Sequence, residues 1–481
     1  MENWILLISL AILLVGAFIL RKLWLGALLA ILFVLVFKGI LLLHLNFAIP
    51  SFLSASIIAM ELTLLLFGAY LFYKVLHSNN HFGSFTETTS SFSSKLFTLI
   101  ILCVFMGGFM EGIAGFGIPA MLIAPLLITS GFKPLTSIVL PLAANTTAVT
   151  FGALGTPLKV GFGIDEVDLT VLFTLILNSL PALVLPFLLA FIYSRTEQTA
   201  VQWKKNWKML LGSGVSFAVP YALTGWFSIE YPSVVAGSVG LLLFVSFFVS
   251  KKENPPLIFW LRIFYPYLLF VFFLLLAKYF LSDFNWIIAD GTKALSLYQP
   301  GIIFLITSVV YLIIIKKDQL FSNLYIQSRE TLFNTGKSIA TIFLLVCLVQ
   351  LIKNDLADVV NTYYLGLAQT TKLAINPFIG ITGSFISGSA TMSNLLLGDA
   401  IKTDMTAGTY LPLLLALLHT GSCIGNAISL QNIIMVKSVV NQPMIGYVQI
   451  LKYNLLIVAA YVIIVISLSF LIINRDQLFP I

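Results

Sequence analysis

The sequence predicts an all-α polytopic membrane protein with about 12–14 transmembrane helices, and three observations carry that expectation. Hydrophobic residues make up 59% of the 481-residue chain and charged residues only 9%, against roughly 25% charged in an average soluble domain. Apolar runs recur along the whole length, many near the roughly 20 residues a helix needs to cross a bilayer core. The charges gather in short connections, and no soluble domain stands out between the runs.

Taken in order, the runs lie near 4–20, 23–43, 52–75, 96–110, 134–153, 169–193, 209–228, 233–250, 257–281, 300–315, 338–352, 356–374, 405–428 and 450–473. The first is preceded by MENW, without a basic residue, and followed by Arg21 and Lys22. That is the reverse of a cleavable signal peptide, so it reads as a retained helix that starts outside and ends in the cytoplasm. Net charge is +7, and its excess lies in Lys204, Lys205 and Lys208, then Lys251 and Lys252, then Lys316 and Lys317, which assigns those connections to the cytoplasm. In QWKKNWKML, Trp203 and Trp207 flank the lysines, as in a helix at headgroup level or an ordinary juxtamembrane loop. The basic residues are dispersed among spans, which argues against a nucleic-acid partner. The polar insertion from His77 to Lys95 is Ser/Thr-rich and reads as a flexible connection. Cys103, Cys347 and Cys423 all fall in apolar runs without CxxC spacing, so they read as reduced packing residues.

Two further apolar stretches, 111–127 and 376–398, are too interrupted by Gly, Pro, Ser and Thr to be simple spans. The first opens with EGIAGFGIP, Glu111 to Pro119. A charge at the centre of a membrane helix costs roughly 2.5–3.5 kcal/mol, so Glu111 should face a bundle interior or a wet cavity. Gly112, Gly115, Gly117 and Pro119 weaken the helix around it. Either a re-entrant or broken helix lines a cavity here, or the small residues form a close packing seam. Downstream, ANTTAVTFGALGTP carries Asn145, Thr146, Thr147, Thr150 and Thr156, then is interrupted by Gly152, Gly155 and Pro157. A helix that stops inside the membrane offers backbone N–H groups to an anion or carbonyls to a cation; the polar side chains also suit simple interhelical hydrogen bonds.

The later region repeats this character, with GSFISGSATMSN from Gly383 to Asn394 and HTGSCIGNAISLQ from His419 to Gln431. A shift of 273 positions places Gly115 on Gly388, Gly152 on Gly425 and Thr156 on Ser429. We therefore expect two structural repeats, roughly 1–250 and 251–481, each with a re-entrant or broken helix, inside one transmembrane transporter domain spanning 1–481. Whether they are inverted does not follow from the residues. Among other buried polar groups, Glu61 is a second intramembrane carboxylate, either functional or internally paired. His419 and Cys423 share a helix face, but two ligands without a third do not make a metal site; His419 is a candidate cavity-lining residue, and Gln431 is a further secondary candidate. Asp399, Lys402 and Asp404 mark a wet connection, and Lys38, Arg262 and Lys278 suit snorkelling near span ends.

EGIAGFGIP, NTTAVTFGALGTP, GSATMSN and ISLQ together resemble the motifs of the L-lactate permease family, and length and span count agree over nearly the whole chain. The resemblance implies a multi-pass plasma-membrane symporter that takes up L-lactate, glycolate or related 2-hydroxy monocarboxylates with protons. It implies membership of the wider ion-transporter superfamily, with paired re-entrant hairpins and an elevator-like movement. It implies no cofactor. Three departures stand out: Ala390 where relatives write Asp, Asn426 where they write Lys, and Leu430 where they write Pro. Loss of the Asp and Lys together keeps the local charge balanced, or alters coupling or ligand.

On this reading Glu111 is the proton carrier, because burial favours the neutral carboxyl. The substrate carboxylate is expected at Gly115, Gly117, Gly388 and Ser389, with Asn145, Thr146, Thr391, Ser393 and Asn394 orienting its 2-hydroxyl. The implied partners are the monocarboxylate, a proton or alternatively sodium, the lipid bilayer, and a second copy if the protein is a homodimer. A sodium-coupled or altered-specificity anion transporter and an anion channel are the competing readings. HExxH and GxSG are both absent, which leaves no intramembrane hydrolase motif.

Overall fold

The computed structural model describes residues 3–20, 22–42, 48–79, 81, 94–115, 117–248, 257–281, 285–288, 293–296, 299–315, 320–402 and 408–478. The readings of Arg21, Lys251, Lys252, Lys316, Lys317, Asp404, the side chain of Arg262 and most of the polar insertion after His77 lie outside them.

Among the described residues, eight helices are long and apolar enough to cross a membrane, and five shorter apolar helices of 10–17 residues accompany them. Phe321, Phe333 and Tyr279 are among the large apolar side chains left exposed on the helices, surface that water would penalise and a bilayer would cover. The helices are α1 (Asn3–Leu14), α2 (Leu23–Leu42), α3 (Ala48–Ser78), α4 (Lys95–Ala114), α5 (Ile118–Thr129), α6 (Pro134–Ala148), α7 (Gly152–Phe162), α8 (Leu169–Glu197), α9 (Trp203–Gly225) and α10 (Pro232–Phe248). After them come α11 (Leu257–Leu281), α12 (Pro300–Ile315), α13 (Leu320–Tyr364), α14 (Gln369–Ser387), α15 (Ala390–Lys402), α16 (Leu411–Gly425), α17 (Leu430–Val439) and α18 (Tyr447–Leu478). Among the described residues one element departs from helix: an antiparallel pair, β1 (Asn285–Ile288) and β2 (Lys293–Ser296), in which Asn285 pairs with Ser296.

The helices pack as two compact units, each discontinuous in sequence. The first gathers Met1–Thr89, Pro255–Leu356 and Ile434–Tyr447. In it, glycines serve as a packing seam: Gly68 on α3 lies against the backbone of Gly301 on α12, so neither position has room for a side chain. Lys38, expected to snorkel, is instead buried on α2, 2.5 Å from Asp355 Oδ2 on α13 and 3.3 Å from the Leu351 carbonyl. That pairing explains a second difference. Lys353, Asn354 and Asp355 read as a connection between spans 338–352 and 356–374, yet α13 continues through them, because one of the charges is matched inside the unit. Glu61 also lies here and accepts a hydrogen bond from Gln299 Nε2 at 2.9 Å.

The second unit gathers Ser90–Asn254, Ala357–Ile433 and Val448–Ile481. Trp203 and Trp207 belong to the exposed first turns of α9, so QWKKNWKML opens a 23-residue helix and is not a loop. Cys103 and Cys423 are buried free thiols in this unit. Both interrupted regions of the sequence fall within it.

Candidate functional site

Each interrupted region contributes a helical hairpin and a discontinuous helix. In the first, α4 ends at Ala114 because Gly115 takes φ 62°, ψ −157°, a conformation open essentially to glycine alone. The chain re-enters a helix at α5, whose first turn holds Pro119 at a position where the missing N–H costs nothing. Glu111 sits one turn before this break and is 2% exposed. Its Oε2 accepts from Asn145 Nδ2 at 2.9 Å. Against its other oxygen lies Gly152, where a Cβ would come within 2.7 Å of Oε1.

Asn145 is carried by α6, which tightens into a 3₁₀ turn at Val149–Phe151. Ser233 Oγ donates to the Ala148 carbonyl at 2.7 Å, and the hydroxyls of Thr150 and Tyr221 lie 2.5 Å apart. After Gly152 the backbone turns left-handed through Ala153 (φ 45°), Leu154 (φ 55°) and Gly155 (φ 79°) before α7 continues. Two non-glycine residues in that region signal stored strain, each worth about 1–3 kcal/mol. No feature of the sequence marks Ala153 or Leu154 for it.

In the second region, α14 ends at Gly388 (φ 77°), which no side chain could replace without displacing Gln431: a Cβ would lie 2.5 Å from its Oε1. Ser389 then caps α15, its Oγ accepting from Met392 N–H at 3.4 Å and its carbonyl from Ser393 N–H at 3.0 Å. α16 passes into a 3₁₀ turn at Asn426–Ile428, a single extended Ser429 follows, and α17 begins.

The two regions meet at one cavity of about 20 Å³, the room of a single water molecule. Glu111, Gly115, Gly152 and Ala153 line it from the first region; Gly388, Ser389, Ala390, Thr391 and Asn426 line it from the second. Glu111 is the one titratable side chain on that wall among the described residues. Of the residues expected from the sequence, the wall thus includes Glu111, Gly115, Gly388, Ser389 and Thr391. Others are engaged elsewhere in the packing. Asn145 holds Glu111, and Thr146 Oγ1 donates to the Ala143 carbonyl at 3.1 Å. Ser393 bonds the Gly380 carbonyl at 3.1 Å and receives Ser422 Oγ at 2.8 Å. Gly117 caps α5, and Gln431 packs over Gly388.

Asn394 and His419 join the two regions. Asn394 Nδ2 donates to the Pro157 carbonyl at 2.9 Å and approaches His419 Nδ1 at 2.9 Å, while His419 Nε2 lies 3.0 Å from the Thr150 carbonyl. A carbonyl only accepts, so Nε2 carries the proton and Nδ1 accepts from the amide. Cys423 Sγ lies 3.7 Å from Nδ1. Among the described residues no three His, Cys, Asp or Glu side chains come together as a metal site. The sequence reading did not assign to the site the wall residues Val149, Gly152, Ala153, Pro157, Ala390 and Asn426; Gly152 and Pro157 were marked as helix breaks, and Ala390 and Asn426 as departures from the motif pattern.

A hydrophobic multi-span bundle, with paired helix breaks converging on a buried carboxylate, defines a polytopic transporter of the cell membrane. Comparison with known proteins supplies the family. The L-lactate permease sequence pattern matches residues 4–256 and 284–475, and the chain belongs to that family, one of transporters and not of enzymes. A Haemophilus influenzae protein named as a candidate L-lactate permease is 26% identical over 467 residues, covering 84% of this chain and 86% of its own. The L-lactate permease of Streptococcus iniae is 29% identical, covering 63% of this chain and 69% of its own. The glycolate permease GlcA of Escherichia coli is 29% identical over 39% of this chain and 33% of its own. The YdaH transporter of Alcanivorax borkumensis aligns over 89% of this chain and 88% of its own, at 14% identity and a TM-score of 0.36.

Proposed function

We propose that the protein moves 2-hydroxy monocarboxylates such as L-lactate and glycolate across the cell membrane together with a proton. The observation that carries this reading is the placement of Glu111 as the lone titratable group, among the described residues, on a wall built by both helix breaks. Opposite it stands the start of α15, where the first-turn N–H groups beside Ser389, Ala390 and Thr391 favour an anionic oxygen. A carboxylate bound there faces Glu111 with no cation among the described residues of the wall to balance two negative charges, so anion and proton enter as a pair. Pairing also removes the electrical cost of moving an anion into a negative cell, about 2.3 kcal/mol per 100 mV.

The cavity holds a water and not a three-carbon acid, so binding requires its wall to open. A carrier does this once per turnover, and saturable counterflow distinguishes it from a channel. The test is Glu111→Gln in proteoliposomes loaded with labelled L-lactate. The variant should retain lactate counterflow while accumulation under an inward proton gradient is lost. Continued pH-driven accumulation would remove Glu111 from coupling. Accumulation that follows a sodium gradient alone would replace the proton by sodium.

A further inference from the structure

We infer that Asn426 is a substrate-recognition residue, oriented by Asn432 so that its amide N–H groups face the cavity and donate to the 2-oxygen of a 2-hydroxy acid. This rests on the function proposed above and extends it to a residue that the motif pattern had flagged only as a loss.

The orientation follows from donor and acceptor logic. Asn432 Nδ2 lies 3.2 Å from the Asn426 main-chain carbonyl. A main-chain carbonyl only accepts, so the atom of Asn432 at that position is the nitrogen. The same nitrogen contacts one end of the Asn426 side-chain amide, and that end must therefore be the oxygen, Oδ1. Asn432 thus chelates Asn426 with both of its N–H groups. What remains of the Asn426 amide is Nδ2, with two donors and no acceptor capacity. Asn426 is 5% exposed and belongs to the cavity wall.

Asn426 is also held in place. It opens the 3₁₀ turn Asn426–Ile428, whose Ala427 carbonyl accepts from Asn454 Nδ2 at 2.7 Å. Asn432 is fixed in turn, since its own N–H donates to Ser429 Oγ at 3.3 Å in the first turn of α17. A buried donor that is positioned from two sides and left facing a cavity selects a ligand with an acceptor at that point, because a ligand lacking one leaves the donor unpaired. The α15 start already suits the carboxylate, so the remaining acceptor of a small 2-hydroxy acid is its 2-hydroxyl oxygen. Asn426 is then the group that distinguishes lactate or glycolate from an unsubstituted acid such as propionate, and Asn432 is its positioning residue.

The experiment measures KM by counterflow for L-lactate, glycolate and propionate in proteoliposomes holding the full-length protein, and compares the ratio of propionate to lactate KM. That ratio does not depend on how much protein reaches the membrane. Asn426→Ala should lower the preference for lactate by about three- to tenfold, by raising the lactate KM and leaving that of propionate unchanged. Asn426→Ser, which keeps a donor, should retain part of the preference. Asn432→Ala should weaken it through KM with kcat preserved, a split that a merely structural role would not produce. An unchanged ratio in Asn426→Ala, or equal loss for all three acids, would overturn the assignment. If an Asn426 variant does not fold, the Asn432→Ala ratio decides alone. Failure of the wild type to exchange lactate or glycolate would defeat the proposed function itself, a separate outcome.

Discussion

The two discontinuous helices of the second unit arrive at the same cavity by different backbone routes. Between the 3₁₀ turn at Val149–Phe151 and Thr156 the chain uses four residues, Gly152–Gly155, three of them left-handed. Between the turn at Asn426–Ile428 and α17 it uses one, Ser429, in an ordinary extended conformation with its hydroxyl capping the next helix. The longer route brings Gly152 against the Glu111 carboxylate; the shorter one leaves Asn426 held by side chains around it. Strain in the first region therefore accompanies the ionisable group, and hydrogen-bonded order in the second accompanies the neutral donors. A donor that reads a ligand needs a fixed direction.

Substitutions that press on this contrast should differ in size and sign. Gly115→Ala carries the largest expected effect, because it combines a backbone region costing about 1–3 kcal/mol with a Cβ only 2.7 Å from that of Ala153. Lactate accumulation should fall at least tenfold and detergent-solubilised protein should unfold at lower temperature; wild-type stability would mean the break is not needed. Gly388→Ala comes next, at about 1–2 kcal/mol for a left-handed alanine. Much of its remaining cost comes from the displaced Gln431 side chain, so Gly388→Ala with Gln431→Ala should be less destabilised than the two single losses added together. Strict additivity in that cycle would show that the contact contributes nothing. Ser429→Ala removes one cap and should lower stability by about 1 kcal/mol in chemical denaturation. The smallest change should have the opposite sign. Ala153→Gly relieves a left-handed residue and is expected to stabilise the protein by up to about 1 kcal/mol in chemical denaturation. A destabilised variant would place the strain elsewhere.

Much of this arrangement was legible in the residues. Hydropathy located the helices, and glycine located the two hairpin breaks at Gly115 and Gly388, since few other residues accept those backbone angles. The polar runs around Asn145 and Asn394 marked the neighbourhood of the cavity without saying which of their members line it. That distinction depends on which way each helix face turns, and an apolar–polar pattern inside a bundle buried on all sides carries little of that signal. Lys38 and Asp355 show a second limit. They pair across more than 300 positions of sequence, and only the folded unit reveals that a charge within α13 interrupts nothing. Lys372 is similar: it looked unremarkable in the chain, yet it is wholly buried, with its ammonium 5.2 Å from the centre of the Tyr364 ring.

One attachment described above limits how the site can open. Asn394 on α15 grips the Pro157 carbonyl near the start of α7, and Lys402 at the far end of α15 donates to the Phe162 carbonyl at the end of α7, 2.8 Å away. Hydrogen bonds at two points thus tie these two short helices to each other. On the proposed function, room for a substrate is then gained where this tied pair meets α4 and the turn at Asn426, the surfaces that carry Glu111 and Asn426.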